Sequence, residues 1–318
     1  MEAEFIGWLH ERLSRQPGVA LGIGDDAALM EFPPPGRCLL TVDVLTDGVD
    51  FRLAEVDPRR IGRKALAVNL SDIAAMAGVP RAALIGLVLP RHGALALAQG
   101  LYEGLLPLAT QFGVAIAGGD TNTWDGPLAI SITLVGTPGP RGPLRRDGAK
   151  PGDRILVTGA LGGSLLGRHF DFEPRVHEAL LLAEQYELHS GMDISDGLSL
   201  DLWRMARASN CGARLDLARV PVSAAAGAWA AQLADGTTAL EHALSDGEDF
   251  ELLLAAAPAE AARMLADQPL GVPISEIGEF TDRADFVAAE PDGSLRVLEP
   301  RGWLHASSER LERTNRTP

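Results

Sequence analysis

Residues 57–78 read "DPRRIGRKALAVNLSDIAAMAG", and the architecture can be built outward from them. Asp57 followed by Pro58 is a favourable start for a helix. The carboxylate can accept from an orphaned N–H of the first turn, and the proline ring presets φ. From Arg59 onward apolar residues recur at helical spacing, and Gly78 ahead of Pro80 supplies the stop. One residue breaks the pattern. Asp72 lies among Leu70, Ile73 and Met76, where a lone carboxylate is costly to desolvate. Either it sits at a polar helix edge, or a cation compensates it.

On either side of this helix the chain alternates strands and helices. A short helix is expected near residues 2–14, and "CLLTVDVL" (38–45) reads as a buried strand ending in acid. "AALIGLVLP" (82–90) is a strand, 94–112 a helix, "VAIAGGD" (114–120) a strand entering a glycine turn, and "LAISITLVG" (128–136) another strand. The stretch "TPGPRGPLRRDGAKPGD" (137–153) is dense in Pro and Gly and has no apolar period, which marks a linker. "RILVTG" (154–159) then restarts a strand, and "GALGGSLLG" (159–167) is a glycine-rich turn into a helix. The expected organisation is α+β. It has a domain over 1–137, a linker over 138–151, a second domain over 152–306, and a frayed tail over 307–318.

The chain has 318 residues, 46% apolar and 22% charged, the balance of a soluble globular protein. With 28 basic against 43 acidic residues the net charge is −15, which argues against nucleic acid or an anionic membrane surface as the main partner. An anionic substrate would need a local solution. Lys64 and Lys150 are the only lysines, so phosphate must be held by arginines, backbone N–H groups or metals. Cys38 and Cys211 show neither ligand nor redox spacing, as expected of reduced thiols in a cytoplasmic protein. The stretch "MEAEFIGWLHERL" has no basic n-region or apolar h-region, and no apolar run approaches a membrane span.

Acids recur at element ends among small residues. They occur in "GIGDDAA" (Asp25, Asp26), "TVDVLTDG" (Asp43, Asp47), "NLSDIAAMAG" (Asp72), "AGGDT" (Asp120), "MDISDGL" (Asp193, Asp196) and "SDGEDFE" (Asp246, Glu248, Asp249). Few of them have a basic neighbour in sequence. Aspartates around glycine turns suit hard, oxygen-seeking cations, and glycine lets backbone N–H groups approach phosphate oxygens. The EF-hand pattern is absent, whereas Mg²⁺ commonly takes one or two carboxylates plus substrate phosphates. Mg²⁺–nucleotide chemistry and acidic surface loops therefore stand as the two readings of the pattern. Other chemistries fit worse. "GALGGSLLG" lacks the lysine of a Walker A loop, and the 163–167 stretch misses the nucleophile-elbow spacing by one residue. The histidines form no HExxH pair, and His169 and His177 are expected at the surface. Protein-kinase HRD and DFG signatures are missing.

The segments "GIGDDAAL", "VDVLTDGVDF", "KALAVNLSDIAAMAG", "GGDT", "RDGAKPGD", "DISDGLSLDL" and "GEDFEL" occur in that order. Together they closely resemble the thiamine-monophosphate kinase family, part of the ATP-binding superfamily shared with aminoimidazole ribonucleotide synthetase and selenophosphate synthetase. The resemblance runs from about Gly22 to Trp303. It implies a two-domain aminoimidazole ribonucleotide synthetase-like fold. The N-terminal sheet would form a barrel across a homodimer, and the C-terminal domain would be an α/β sandwich. It further implies ATP-dependent phosphorylation of thiamine phosphate to thiamine diphosphate with several Mg²⁺ ions.

Carried over by motif, Asp26, Asp43, Asp72, Asp120, Asp193 and Asp196 would be metal ligands, joined by Thr41 and the Val42 main chain. Tyr102, Gly119, Asp120, Arg146 and Ser195 would contact ATP, and Asp50, Glu248 and Trp303 the acceptor. Plainer roles stand beside these: helix packing for Tyr102, a core aromatic for Trp303, a solvated linker for Arg146. Nucleotide and acceptor bring roughly five or six negative charges, so divalent ions are the natural neutraliser. Catalysis would be in-line transfer without a covalent intermediate. One departure stands out: where the family usually has "GVHF", this chain has Gly48-Val49-Asp50-Phe51. A sibling enzyme with another small substrate and a catalytically silent nucleotide-binding paralogue are the alternatives. The reactive Cys and lysine expected of a selenophosphate synthetase are absent from the N-terminal glycine-rich stretch.

Overall fold

The computed structural model describes residues 8, 12–13, 19–21, 29–30, 37–233, 235–290 and 294–304. Asp26, most of the helix expected near 2–14, and the tail lie outside the described residues. Strands β1 (Val19–Leu21) and β2 (Leu29–Met30) form an antiparallel pair.

The first half builds a four-stranded sheet from β3 (Leu39–Thr46), β4 (Gly78–Pro90), β5 (Ala115–Trp124) and β6 (Ala129–Pro138), in the order β3-β6-β4-β5. Among the described residues it is accompanied by helices α1 (Pro58–Ala75) and α2 (Ala94–Gln111). β4 and β5 are parallel, so a crossover must join them, and α2 is that crossover. Asp57 caps α1 as expected, accepting from Arg59 N at 2.8 Å. The helix ends at Ala75, and Ala77 (φ 49°) turns the chain into β4, which starts at Gly78 and runs through Pro80. α1 and α2 touch backbone to backbone. A Cβ on Gly62 would sit 2.0 Å from Leu101 O, and one on Gly104 1.8 Å from Arg59 O, so only glycine fits at either.

β3 departs from its expected burial. Leu39 and Leu45 are buried, but Leu40, Val42 and Val44 are 66%, 59% and 61% exposed. Leu84 and Val88 of β4 are exposed too. The sheet therefore carries its helices on one face and leaves an apolar opposite face bare in the single chain.

The second half forms a seven-stranded mixed sheet. Its strands are β7 (Arg154–Thr158), β8 (Leu188–Asp193), β9 (Gly212–Asp216), β10 (Leu252–Ala256), β11 (Ile274–Thr281), β12 (Phe286–Ala289) and β13 (Leu295–Val297). The order is β13-β12-β9-β11-β7-β10-β8, with only β9 and β12 parallel among the described pairs. The helices are α3 (Arg168–Asp171), α4 (Val176–Gln185), α5 (Leu198–Ala208), α6 (Ala224–Leu233), α7 (Ala239–Ser245) and α8 (Pro258–Asp267). The period-two rule divides the sheet's side chains between two cores. Ile155, Val157, Leu253 and Ala255 join Leu202 and Met205 of α5 and Ala243 of α7. Leu156, Leu252 and Leu254 join Leu182 of α4, Met264 of α8, and Leu66 and Leu70 of α1. α1 is thus closed in by both sheets, which is why even Lys64, Asn69 and Ser71 are buried.

Residues 139–153 form neither helix nor strand, but they are fastened down. Gly139 N donates to Ala77 O at 3.1 Å, Leu144 N to Met76 O at 2.9 Å, and Gly191 N to Arg145 O at 3.1 Å. His169 corrects another expectation. It is buried, with Nδ1 2.9 Å from Ser164 O, because the glycine turn folds back under α3. Among the described residues no helix is long and apolar enough to cross a membrane.

Candidate active site

The alternation of β3 directs Thr41 and Asp43 to the same side as Leu39 and Leu45, towards α1. α1 presents Asp72 there, in its last turn, and Thr41 Oγ1 donates to Asp72 Oδ2. From the other half, β8 ends on Asp193, whose Oδ2 accepts from Ser71 Oγ at 2.6 Å. Three acids from three elements thus meet along one edge of the junction. Beside them opens a cleft of ≈ 410 Å³, lined by Thr41, Asp72, Met76, Arg145, Arg146 and Asp193 among others.

These acids hold protons far more tightly than free aspartates. Burial, then the charges of Asp72 and Asp50, pushes Asp43 up to about 7. Asp193 is pushed up by burial and by Asp72. Asp72 is raised by burial, an effect opposed by the Thr41 hydrogen bond and the Arg146 charge. Among the described residues, Asp43 Oδ2 is buried without a hydrogen-bond partner. Among the described residues, no three His, Cys, Asp or Glu side chains form a ready-made metal cage. An orphaned carboxylate oxygen beside mutually repelling acids suits a hard divalent ion whose other ligands are water and phosphate.

Residues 24–137 match the family model for AIR synthase related protein, N-terminal domain, and residues 150–289 that for AIR synthase related protein, C-terminal domain. The thiamine-monophosphate kinase of Rhodopirellula baltica is 45% identical over 316 residues, covering 97% of this chain and 98% of that one. This chain belongs to the thiamine-monophosphate kinase family. A thiamine-monophosphate kinase crystal structure from Stenotrophomonas maltophilia superposes with a TM-score of 0.76 at 33% identity, covering 91% of this chain and 96% of that one. AaThiL complexed with AMPPCP and TMP gives a TM-score of 0.73 at 28% identity, covering 96% of this chain and 97% of that one.

Of the remaining residues that the family motif singles out, Arg146 is among those that line this cleft. Arg146 is exposed on its rim, while Arg145 is tied to Asp147 in a surface ion pair. Gly119 and Asp120 are exposed on edge strand β5, with Asp120 Oδ1 accepting from Thr121 N at 2.8 Å. A Cβ on Gly119 would lie 2.0 Å from Ile85 O, so glycine is required for β5 to pair with β4 there. Asp196 is ion-paired to Arg204. Asp50 uses its Oδ2 to accept from Thr46 N at 2.7 Å, closing its own turn. Trp303 is 52% exposed, and its backbone N donates to Asp196 O at 2.8 Å. Tyr102 is different: it is buried in the α2 core, edge-on to Trp8 at 6.2 Å, and does not line the cleft. Helix packing accounts for it.

Sequence reasoning missed three supports. Asp201 Oδ2 accepts from Ser195 N, Asp196 N and Gly197 N at 3.1, 2.9 and 3.1 Å, and so shapes the 195–197 loop. Its place four residues after Gly197 in "DISDGLSLDL" was the available signal. Asp249, grouped above with the loop acids, is instead a buried anchor. It accepts from Gly162 N at 2.9 Å and pairs with Arg168 at 2.8 Å, next to a Glu251–Arg175 pair at 2.8 Å. Lys64, noted in the sequence only as one of two lysines, is 1% exposed and pairs with Glu248 at 2.5 Å.

Proposed function

We propose that this chain transfers the γ-phosphoryl group of ATP to thiamine phosphate, giving thiamine diphosphate and ADP. Family membership supports the reaction class, and the substrates follow those named for AaThiL complexed with AMPPCP and TMP. The observation that carries the proposal is the meeting of Asp43, Asp72 and Asp193 at a cleft rimmed by Arg146.

The acceptor phosphate is already deprotonated at neutral pH, so it needs no general base. Its oxygen attacks the γ-phosphorus in line while the bond to the ADP oxygen breaks, and the protein's task is positioning and charge neutralisation. Arg146 faces the nucleotide phosphates, with Gly119 and Ser195 beside them. Glu248 and Trp303 border the acceptor. Asp50 acts through its turn, which its Oδ2 closes by accepting from Thr46 N. Mg²⁺ would be held by Asp43, Asp72 and Asp193, with Thr41, the Val42 main chain, Asp26, Asp120 and Asp196 completing the set. Bound there it supplies the positive charge that a protein of net −15 lacks.

The same reading includes a cytoplasmic homodimer. The bare face of Leu40, Val42, Val44, Leu84 and Val88 is apolar enough to need a cover, and a second copy meeting it would close the two sheets into a barrel. The test of function is a coupled assay with ATP, Mg²⁺ and thiamine phosphate, following ADP and thiamine diphosphate together. Mg²⁺-ATP binding without turnover of thiamine phosphate would overturn the proposal.

A further inference from the structure

Lys64 is one of two lysines in the chain, and its side chain is almost wholly enclosed. Burying an ammonium is costly unless its N–H groups are satisfied and its charge is answered. Here Nζ donates to Glu248 Oε1 at 2.5 Å and to Asp50 O at 2.9 Å, and it lies 5.2 Å from the centroid of the Phe170 ring. The two hydrogen-bond acceptors come from two segments, the 46–51 turn and the 246–250 loop, and Lys64 on α1 bridges them.

The loop bearing Glu248 is held under constraint. Glu248 has φ 53°, a left-handed conformation unfavourable for a residue with a Cβ. Its N–H donates to Ser195 O at 2.6 Å, so the loop is also fixed to the segment following β8. Glu248 keeps part of its side chain exposed, and Oε2 lies 3.9 Å from His169 Nε2, beyond hydrogen-bonding distance. One carboxylate oxygen is thus committed to Lys64, and the other has no hydrogen-bond partner among the described residues, which leaves it able to accept from a ligand.

We propose that Lys64 is a positioning residue for the acceptor. Its ammonium locks Glu248 and the Asp50 turn into one edge, so that Oε2 of Glu248 is presented to a donor-bearing, cationic heterocycle. This rests on the reading of thiamine phosphate as acceptor. Lys64 does not touch the acceptor; it acts through Glu248. Losing it should therefore weaken acceptor binding and leave nucleotide binding unchanged.

The test is steady-state kinetics on the full chain with both substrates varied. Lys64→Met should raise the KM for thiamine phosphate about tenfold or more, while the KM for ATP moves less than about twofold. Lys64→Arg, which keeps the charge and the donors, should recover most of that loss. Lys64→Met leaves Glu248 without its counter-charge and Glu248→Gln leaves the buried Lys64 ammonium unanswered, so either can fail to fold; a second comparison therefore uses the double variant, which strands no charge. Adding Lys64→Met to Glu248→Gln should change the acceptor KM by less than about twofold, because the route is already cut. Equal effects on both substrates, or a further tenfold loss in the double variant, would overturn the proposal. A wild-type protein inactive on thiamine phosphate would overturn the acceptor assignment along with it. An active wild type with an unaffected Lys64→Met would overturn the role of Lys64 alone.

Discussion

Ser71 Oγ donates to Asp193 Oδ2 at 2.6 Å, joining α1 to the end of a strand that belongs to the other half of the chain. Both side chains are buried, so the hydroxyl is what makes an ionised Asp193 tolerable in place of water. Ser71→Ala should lower the unfolding free energy by about 1–3 kcal/mol. The loss should be larger at about pH 8 than at about pH 6, since the bond favours the charged carboxylate. Urea unfolding at the two pH values checks this, and identical losses would show that the bond does not act on the ionised form.

The charge of Asp72 raises the pKa values of both Asp43 and Asp193. Asp72→Asn keeps the shape and removes the charge. Turnover should fall by more than about a hundredfold, the scale of losing a transition-state electrostatic contact. The melting temperature without ligands should hold or rise, because a buried like-charge repulsion has gone. Near-normal rates would remove Asp72 from the proposed metal set.

The cleft acids also set the pH response of the ligand-free protein. Asp43 titrates in the folded chain at about 7, against 3.8 for the unstructured group, and Asp193 is shifted the same way. The folded state thus keeps protons that the unfolded chain has released. The stabilisation is complete below about pH 4 and is lost as pH rises through about 7. Melting temperature should accordingly decline from mildly acidic to mildly alkaline buffer. Mg²⁺-ATP should lift it most at the alkaline end, and Mg²⁺ binding near pH 7 should release protons. A flat profile unaffected by Mg²⁺-ATP would contradict this account of the cleft.

Val44→Glu places a charge in the middle of the bare face of β3 without entering the cleft, since Val44 points away from Asp43. Sedimentation should give a dimer for the wild type and a shift to monomer for the variant. A monomeric wild type would show that the exposed apolar stripe is not closed by a second copy.

Much of this was legible from residues 57–78. The N-cap at Asp57, the apolar period and the anomaly of Asp72 located both the helix and one acid of the cleft. β3 was misread for a physical reason. Burial was assigned to its apolar residues, yet Leu40, Val42 and Val44 lie on the face that a single chain leaves open, while polar Thr41 and Asp43 turn inward. Lys64 escaped notice because its partners, Glu248 and the Asp50 carbonyl, are remote in sequence and no local pattern predicts their meeting. Tyr102 entered through resemblance, and its buried place in the α2 core argues for packing.

The enclosure of α1 by both sheets has a consequence for how such a protein can change. Leu66 and Leu70 share one core with Leu156, Leu252 and Leu254, so the two segments recognised by separate family models are not separate folding units. A hybrid that took residues up to the linker from one relative and the remainder from another would mismatch that core and the Ser71–Asp193 contact at a single stroke. Exchange between lineages should succeed loop by loop, at the rims, and fail at the seam where the sequence looks easiest to cut.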